Sequence, residues 1–132
     1  MSPLTLLCVD DDENTLKSLG RLLRDQPYKV LFATSGKQGF SLLKSEPVQV
    51  VVSDYRMPGM TGTEFLYQVQ QDYPNTFRMI LSSFSDGQSI RNAISDGAID
   101  KVLIKPWKSK ELITEIHCGF EKVNATNCFT CS

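Results

Sequence analysis

Val48-Gln49-Val50-Val51-Val52-Ser53-Asp54 is almost continuously apolar and then turns polar at its last two residues. A run of this length, rich in β-branched side chains and apolar at successive positions, suits a strand covered on both faces, as strands of parallel sheets are. Around it lie four more short apolar runs, at residues 4–9, 29–33, 78–82 and 101–104, which with 48–53 make five predicted strands. The segments between repeat at three- and four-residue steps: Leu16, Leu19, Leu22 and Leu23 in the first, Phe40 and Leu43 in the second, and Phe65, Leu66 and Val69 in the third. Ile90, Ala93 and Ile94 mark the fourth, and Leu112, Ile113, Ile116, Phe120 and Val123 the fifth. Such spacing predicts helices with one apolar stripe. Pro27, Pro47 and Pro74 fall in the connections, and Asp96-Gly97 reads as a helix end. The alternation is (βα)5. Parallel strands need crossover connections, almost always right-handed, so the expected fold class is α/β, a doubly wound parallel sheet with helices on both faces. Ligands of such sheets bind outside the carboxyl ends of the strands.

Composition narrows the classes. A length of 132 residues predicts one domain, with no room for a second catalytic or DNA-binding one. It is expected over residues 1–123, followed by a segment 124–132 without apolar period, read as a disordered tail or the start of a linker. The balance of 14 basic against 15 acidic residues leaves a net charge of −1, which argues against direct binding of nucleic acid or an anionic membrane surface. No apolar run approaches the about 18 residues of a membrane span. Met1-Ser2-Pro3-Leu4 lacks the features of a signal peptide, so a cytoplasmic location is expected. Cys8 and Cys118 sit in apolar patterns, as small buried hydrophobes do. Cys128 and Cys131 form a lone Cys-x-x-Cys, half of a zinc site at best.

The residues after each predicted strand carry the chemistry. The first run is followed by Asp10, Asp11, Asp12 and Glu13, the third ends in Ser53-Asp54, the fourth in Ser82-Ser83 and the fifth in Lys105-Pro106. Taken singly, each has a local explanation: acidic residues cap helices and complement their dipoles, serines make turns, and lysines face solvent. Together they converge on one edge. Two carboxylates about 5 Å apart repel by roughly 3 kcal/mol even at an effective dielectric of 20. Nothing in the fold requires that cost, and a hard dication removes it. Mg²⁺ accepts a few carboxylate and carbonyl oxygens while keeping several waters, so Asp10, Asp11 and Asp54 make a candidate Mg²⁺ site. Phosphoryl transfer accounts for the rest, with Lys105 as the cation opposite the metal, Ser82 as a hydroxyl donor and Asp54 as the nucleophile.

Four segments, in order, resemble the receiver domain of bacterial response regulators in two-component signalling: residues 7–12, 52–62, 81–86 and 103–107, which include Asp10-Asp11-Asp12, Ser53-Asp54, Leu81-Ser82-Ser83 and Lys105-Pro106-Trp107. The resemblance spans nearly the whole chain. It implies a five-stranded sheet of flavodoxin-like strand order 2-1-3-4-5, phosphorylation of Asp54 by a sensor histidine kinase or phosphotransfer protein, and Mg²⁺ as cofactor. It also implies Mg²⁺ ligation by Asp11, Asp54 and the backbone carbonyl of Arg56, with Asp10 acting through water. Ser82 would hydrogen-bond the phosphoryl group, Lys105 would pair with it, and the peptide before Pro106 would be cis. Output would pass through the face of the fourth helix, fifth strand and fifth helix, which would bind a second copy or an effector domain. His117, the sole histidine, lies in the last predicted helix and is expected to be remote from the site.

Receivers commonly carry Tyr or Phe three residues before the lysine, and here that position is Val102. Its small side chain cannot make the swing of an aromatic ring, which leaves Phe84, Trp107 or a backbone shift to carry the signal. Arg56 and Phe84 stand where they would control access of water to an acyl phosphate. Two other readings compete. One is a phosphatase of the haloacid dehalogenase type, disfavoured by Asn14 where that motif expects Thr or Val. The other is a pseudo-receiver that binds partners without accepting phosphate, disfavoured by the complete acidic, hydroxyl and lysine set. The chain is thus read as a signalling phosphoacceptor that catalyses only its own phosphorylation and slow dephosphorylation.

Overall fold

A computed structural model describes residues 4–83 and 87–127, the last four as backbone only. The element order is β1 (Thr5–Val9), α1 (Glu13–Leu23), β2 (Lys29–Ala33), α2 (Gly36–Ser45), β3 (Val50–Asp54), α3 (Gly62–Asp72), β4 (Phe77–Ser82), α4 (Gly87–Ser95), β5 (Lys101–Ile104) and α5 (Ser109–Asn127). All five strands pair in parallel in the order β2-β1-β3-β4-β5. The expected doubly wound (βα)5 architecture and strand order are what the chain adopts. Differences are local: β3 begins two residues later than expected and ends one later, to include Asp54, and α5 continues past Val123, where its apolar period ends, to Asn127.

The near-continuous apolar run of β3 resolves into two faces, because successive strand side chains point to opposite sides. Val50 and Val52 join Leu6, Cys8, Met79, Leu81 and Leu103 under α1 and α5, packed on Leu16, Leu19, Leu112 and Ile116. Val51 joins Leu7, Val9 and Ile80 on the other face, under Phe65, Val69, Ile90 and Ala93 of α3 and α4. Two layers of helix thus cover the central strands, and every residue of β1, β3 and β4 is buried.

Helix ends follow side-chain chemistry. Asp12 caps α1 by accepting from the Asn14 N–H at 2.9 Å, so its local role is real. Thr61 and Glu64 form a reciprocal capping box on α3. α4 ends in a Schellman motif: Gly97, at φ +81°, donates to the Ile94 carbonyl and Ala98 to that of Ala93.

Cys8 is inert by environment. Burial, with a smaller contribution from Asp10, pushes its thiol up to about 12, and burial followed by Cys8 raises Tyr28 to about 12. A thiol whose folded-state pKa exceeds the unfolded value holds its proton longer in the native state, so stability falls as pH rises from about 9 toward about 12. The expected slope is about 1.4 kcal/mol per pH unit for one such group. Urea unfolding at stepped alkaline pH should display this loss in the native chain and a shallower one in Cys8→Ala up to the range where tyrosine titrates. Parallel curves would contradict the assignment.

Candidate functional site

Parallel register brings the carboxyl ends of β1 and β3 side by side. Val9 stands opposite Ser53, so Asp10 and Asp54 are next neighbours at the sheet edge. The continuation of the first strand is fixed by the Asp10 N–H donating to the Ala33 carbonyl at 3.0 Å, and the turn into α1 by the Asp12 N–H donating to Asp10 Oδ1 at 2.9 Å. Carboxylate oxygens of Asp10, Asp11 and Asp54 come within 4.8 Å of one another. Asp10 and Asp54 are buried while Asp11 is exposed, an arrangement of two inner charges and one at the mouth.

Electrostatics follows from that crowding. Desolvation, the charge of Asp54 and that of Asp11 push Asp10 up to about 6, against the opposing pull of the Asp12 N–H and Lys105. Lys105, the residue after β5, lies across the edge and its Nζ is hydrogen-bonded to Asp54 Oδ1. Its backbone is held by the Lys105 N–H donating to the Ser82 carbonyl at 2.7 Å, and its ammonium is 5.9 Å from the centre of the Trp107 ring. The Lys105-Pro106 peptide is cis, as the resemblance implied. One lysine against three carboxylates leaves an excess of negative charge. Hard oxygen donors at this spacing suit Mg²⁺, which prefers few protein ligands and retains water.

The acceptor side is built tightly. The Tyr55 N–H donates to the Leu81 carbonyl at 3.0 Å and the Gly62 N–H to the Tyr55 carbonyl at 2.8 Å. A Cβ on Gly62 would stand 2.2 Å from the Asp54 carbonyl oxygen, so only glycine lets α3 begin against the backbone of Asp54. Arg56 lines a cleft of about 490 Å³ with Asp11, Tyr55, Met57, Pro58 and Thr61, on the solvent side of the carboxylates.

Ser82 ends β4 and is 2% exposed. Strand alternation sets it on the same face as Ile80, toward α4, and its Oγ is buried with no hydrogen-bond partner among the described residues. A buried hydroxyl without a partner is uncommon and points to one that arrives later. Val102 lines an open groove of about 330 Å³ with Ser82, Ile90, Arg91, Ile94 and Ile104.

The remaining expectations divide. Trp107 packs on the core cluster under α1 and α5, on the face of the sheet opposite α4, and lines a groove with Leu19 and Leu22. Phe84, Cys128 and Cys131 lie outside the described residues. His117 Nε2 is 3.0 Å from Gln26 Oε1, near the start of β2 and hence at the end of the sheet away from Asp54. Sequence reasoning missed Arg78, a buried guanidinium in β4, and the hydroxyls of Thr63 and Ser89, whose residue types carried no signal without the packing of α3 on α4.

The model of the response regulator receiver domain matches residues 6–117. The chain belongs to this family. As a receiver it is similar to the hydrogenase transcriptional regulatory protein HoxA of Cupriavidus necator, 34% identical over 117 residues, which cover 89% of this chain and 24% of that protein. It is similar also to the transcriptional regulatory protein GlrR of Escherichia coli, 40% identical over 120 residues, covering 91% of this chain and 27% of that protein. This receiver therefore spans only a minor part of the length of these relatives. Among solved structures, the signal receiver domain of an HD domain-containing protein from Pseudomonas fluorescens superposes with a TM-score of 0.90 at 33% identity, covering 96% of this chain and 93% of that one. Among the described residues no helix is long and apolar enough to cross a membrane.

Proposed function

We propose that this receiver accepts a phosphoryl group on Asp54 in a Mg²⁺-assisted step and conveys the change to α4 and the face it forms with β5 and α5. The observation that carries the reading is the meeting of three carboxylates with the Lys105 ammonium at one sheet edge. An Asp54 carboxylate oxygen attacks the phosphorus of a donor phosphohistidine, the P–N bond breaks, and the donor imidazole leaves with a proton as the acyl phosphate forms. Asp11, Asp54 and the Arg56 carbonyl would hold Mg²⁺, with Asp10 acting through water. When bound, it supplies the positive charge that lets an anionic donor approach a carboxylate cluster. Lys105 would exchange its bond to Asp54 for one to a phosphoryl oxygen, and the unpartnered Ser82 hydroxyl would donate to another.

The donor belongs to a separate sensor kinase or phosphotransfer protein, a reading supported by the position of His117 at the opposite end of the sheet. Free thiols at Cys8 and Cys118 fit a reducing, cytoplasmic setting. A second copy or an effector domain would dock on the α4-β5-α5 face. Since HoxA and GlrR are named transcriptional regulatory proteins, control of transcription through such a domain is the output this reading favours.

Treatment with acetyl phosphate and Mg²⁺, followed by intact-mass and peptide mass spectrometry, tests the proposal. The expected result is a single Mg²⁺-dependent phosphoryl addition on the peptide containing Asp54, lost slowly on standing. No addition would leave a pseudo-receiver, and sustained turnover of small phosphate esters would leave a phosphatase.

A further inference from the structure

α4 is tied to α3 by side chains at both of its ends. At its first turn, Ser89 Oγ is 3.1 Å from Thr63 Oγ1, which is in turn 2.9 Å from Thr61 Oγ1. Thr63 is 3% exposed and Ser89 half-buried, so this bond is partly shielded from water. Just beyond its last turn, Asp96 accepts from the Tyr67 hydroxyl, and its carbonyl accepts from Gln70 Nε2 at 3.0 Å. The side facing β5 is different: there Ile90, Ile94 and Val102 border the groove of about 330 Å³, and Ile94 is 48% exposed. α4 is thus held by a polar seam on one side and by Ile90 and Ala93 in the core on its underside, with an open groove between it and β5.

This seam lies between two parts of the site. Thr61 and Thr63 flank Gly62, whose N–H bonds the carbonyl of Tyr55, the residue after Asp54. Ser89 is in the first turn of α4, and the start of that helix is five positions after Ser82, the residue with the buried, unpartnered hydroxyl. An orphaned buried hydroxyl is kept in place only if the surrounding structure holds it there.

We propose that the Thr63–Ser89 bond is a latch: it holds α4 on α3 in the unphosphorylated chain, and thereby holds Ser82 back from the acceptor, until phosphorylation breaks it. The inference rests on Asp54 being the acceptor. With valine at position 102 no ring stands in the groove next to β5, so beside the core contacts of Ile90 and Ala93 the seam to α3 is what fixes the resting position of α4. Thr63 is a positioning residue here and touches no reacting atom.

Hydrogen exchange of the α4 amides, read by mass spectrometry in native chain, Thr63→Val, Ser89→Ala and Thr63→Ser, tests this with and without acetyl phosphate and Mg²⁺. Thr63→Val and Ser89→Ala should exchange about fivefold faster than the native chain in the resting state, the weight of one net hydrogen bond. In the phosphorylated state all four should coincide, because the bond is already broken there. Thr63→Ser, which keeps the hydroxyl, should follow the native chain. Equal acceleration in both states would mean a merely structural bond and would overturn the latch, as would resting rates unchanged by either substitution. Absence of phosphoryl mass on Asp54 in the native chain is a separate result, which would overturn the acceptor reading along with the latch.

Discussion

Asp54→Asn is expected to gain no phosphoryl mass from acetyl phosphate at any Mg²⁺ concentration, while folding as well as the native chain. The first half follows from chemistry: an amide oxygen is not a nucleophile toward phosphorus, and among the described residues Asp54 is the buried carboxylate that Lys105 bonds directly. The second follows from charge. Asp54 stands within 4.8 Å of two other carboxylates, a separation at which each pair repels by roughly 3 kcal/mol at an effective dielectric of 20. Removing one charge relieves that repulsion and offsets the loss of the bond to Lys105, so the variant should melt no lower than the native chain without metal. Mg²⁺ should also raise its melting temperature less, since one ligand and its charge are gone. Phosphorylation persisting on another residue would mean that the acceptor has been misassigned. A collapse of stability would mean that Asp54 is held by the fold for structural reasons.

The second large effect lies at the opposite end of the sheet. Arg78 is 5% exposed and spreads its guanidinium over two connections: Nε donates to the Ala98 carbonyl at 3.0 Å, Nη1 to Thr76 at 2.9 Å, Pro74 at 3.3 Å and Tyr73 at 3.5 Å, and Nη2 to Gly97 at 3.0 Å. Asp100 Oδ2 accepts from the Arg78 N–H at 2.9 Å and lies 3.8 Å from Nη2. Burial lowers the pKa of the guanidinium, with Asp100 opposing, yet an arginine stays charged under any ordinary condition. One planar cation therefore bonds five carbonyls from the α3–β4 and α4–β5 connections. Arg78→Met should cost about 3–4 kcal/mol, because it strands several buried carbonyl acceptors, while the exposed Asp100 keeps its bond from the backbone N–H of residue 78. The check is a lowered urea midpoint with an unchanged m-value. Arg78→Lys should recover less than half of the loss, since an ammonium lacks the fork that reaches acceptors in both connections. A loss below about 1 kcal/mol in Arg78→Met would show that the carbonyls rehydrate freely. The folded fraction should still accept phosphate, the site being at the other end of the strands.

Arg78 also marks where reading the chain by pattern stops. An arginine beside Met79, Ile80 and Leu81 has the same look whether it closes a strand in solvent or is buried in it. Only the arrival of two connections with unpaired carbonyls makes burial favourable. The acidic triplet was the reverse case. Asp10, Asp11, Asp54 and Lys105 were legible because each follows an apolar run, and a doubly wound sheet collects the ends of its strands on one edge. Ser82 was legible as a strand end, but not as a hydroxyl left without a partner, which depends on what α4 fails to bring near it. Thr63 and Ser89 are 26 residues apart and of commonplace type, so no period or motif could link them.

The order of apolar runs and helical periods determined by itself that the chain is a parallel α/β unit with its carboxylates, hydroxyl and lysine at one edge, because residue spacing dictates which faces must be buried. Only the tertiary structure decided how the groups at that edge are occupied: Lys105 on Asp54, Ser82 unpartnered, α4 fastened to α3 and open toward Val102. Those outcomes depend on distances between segments remote in sequence, and packing sets such distances where local pattern does not.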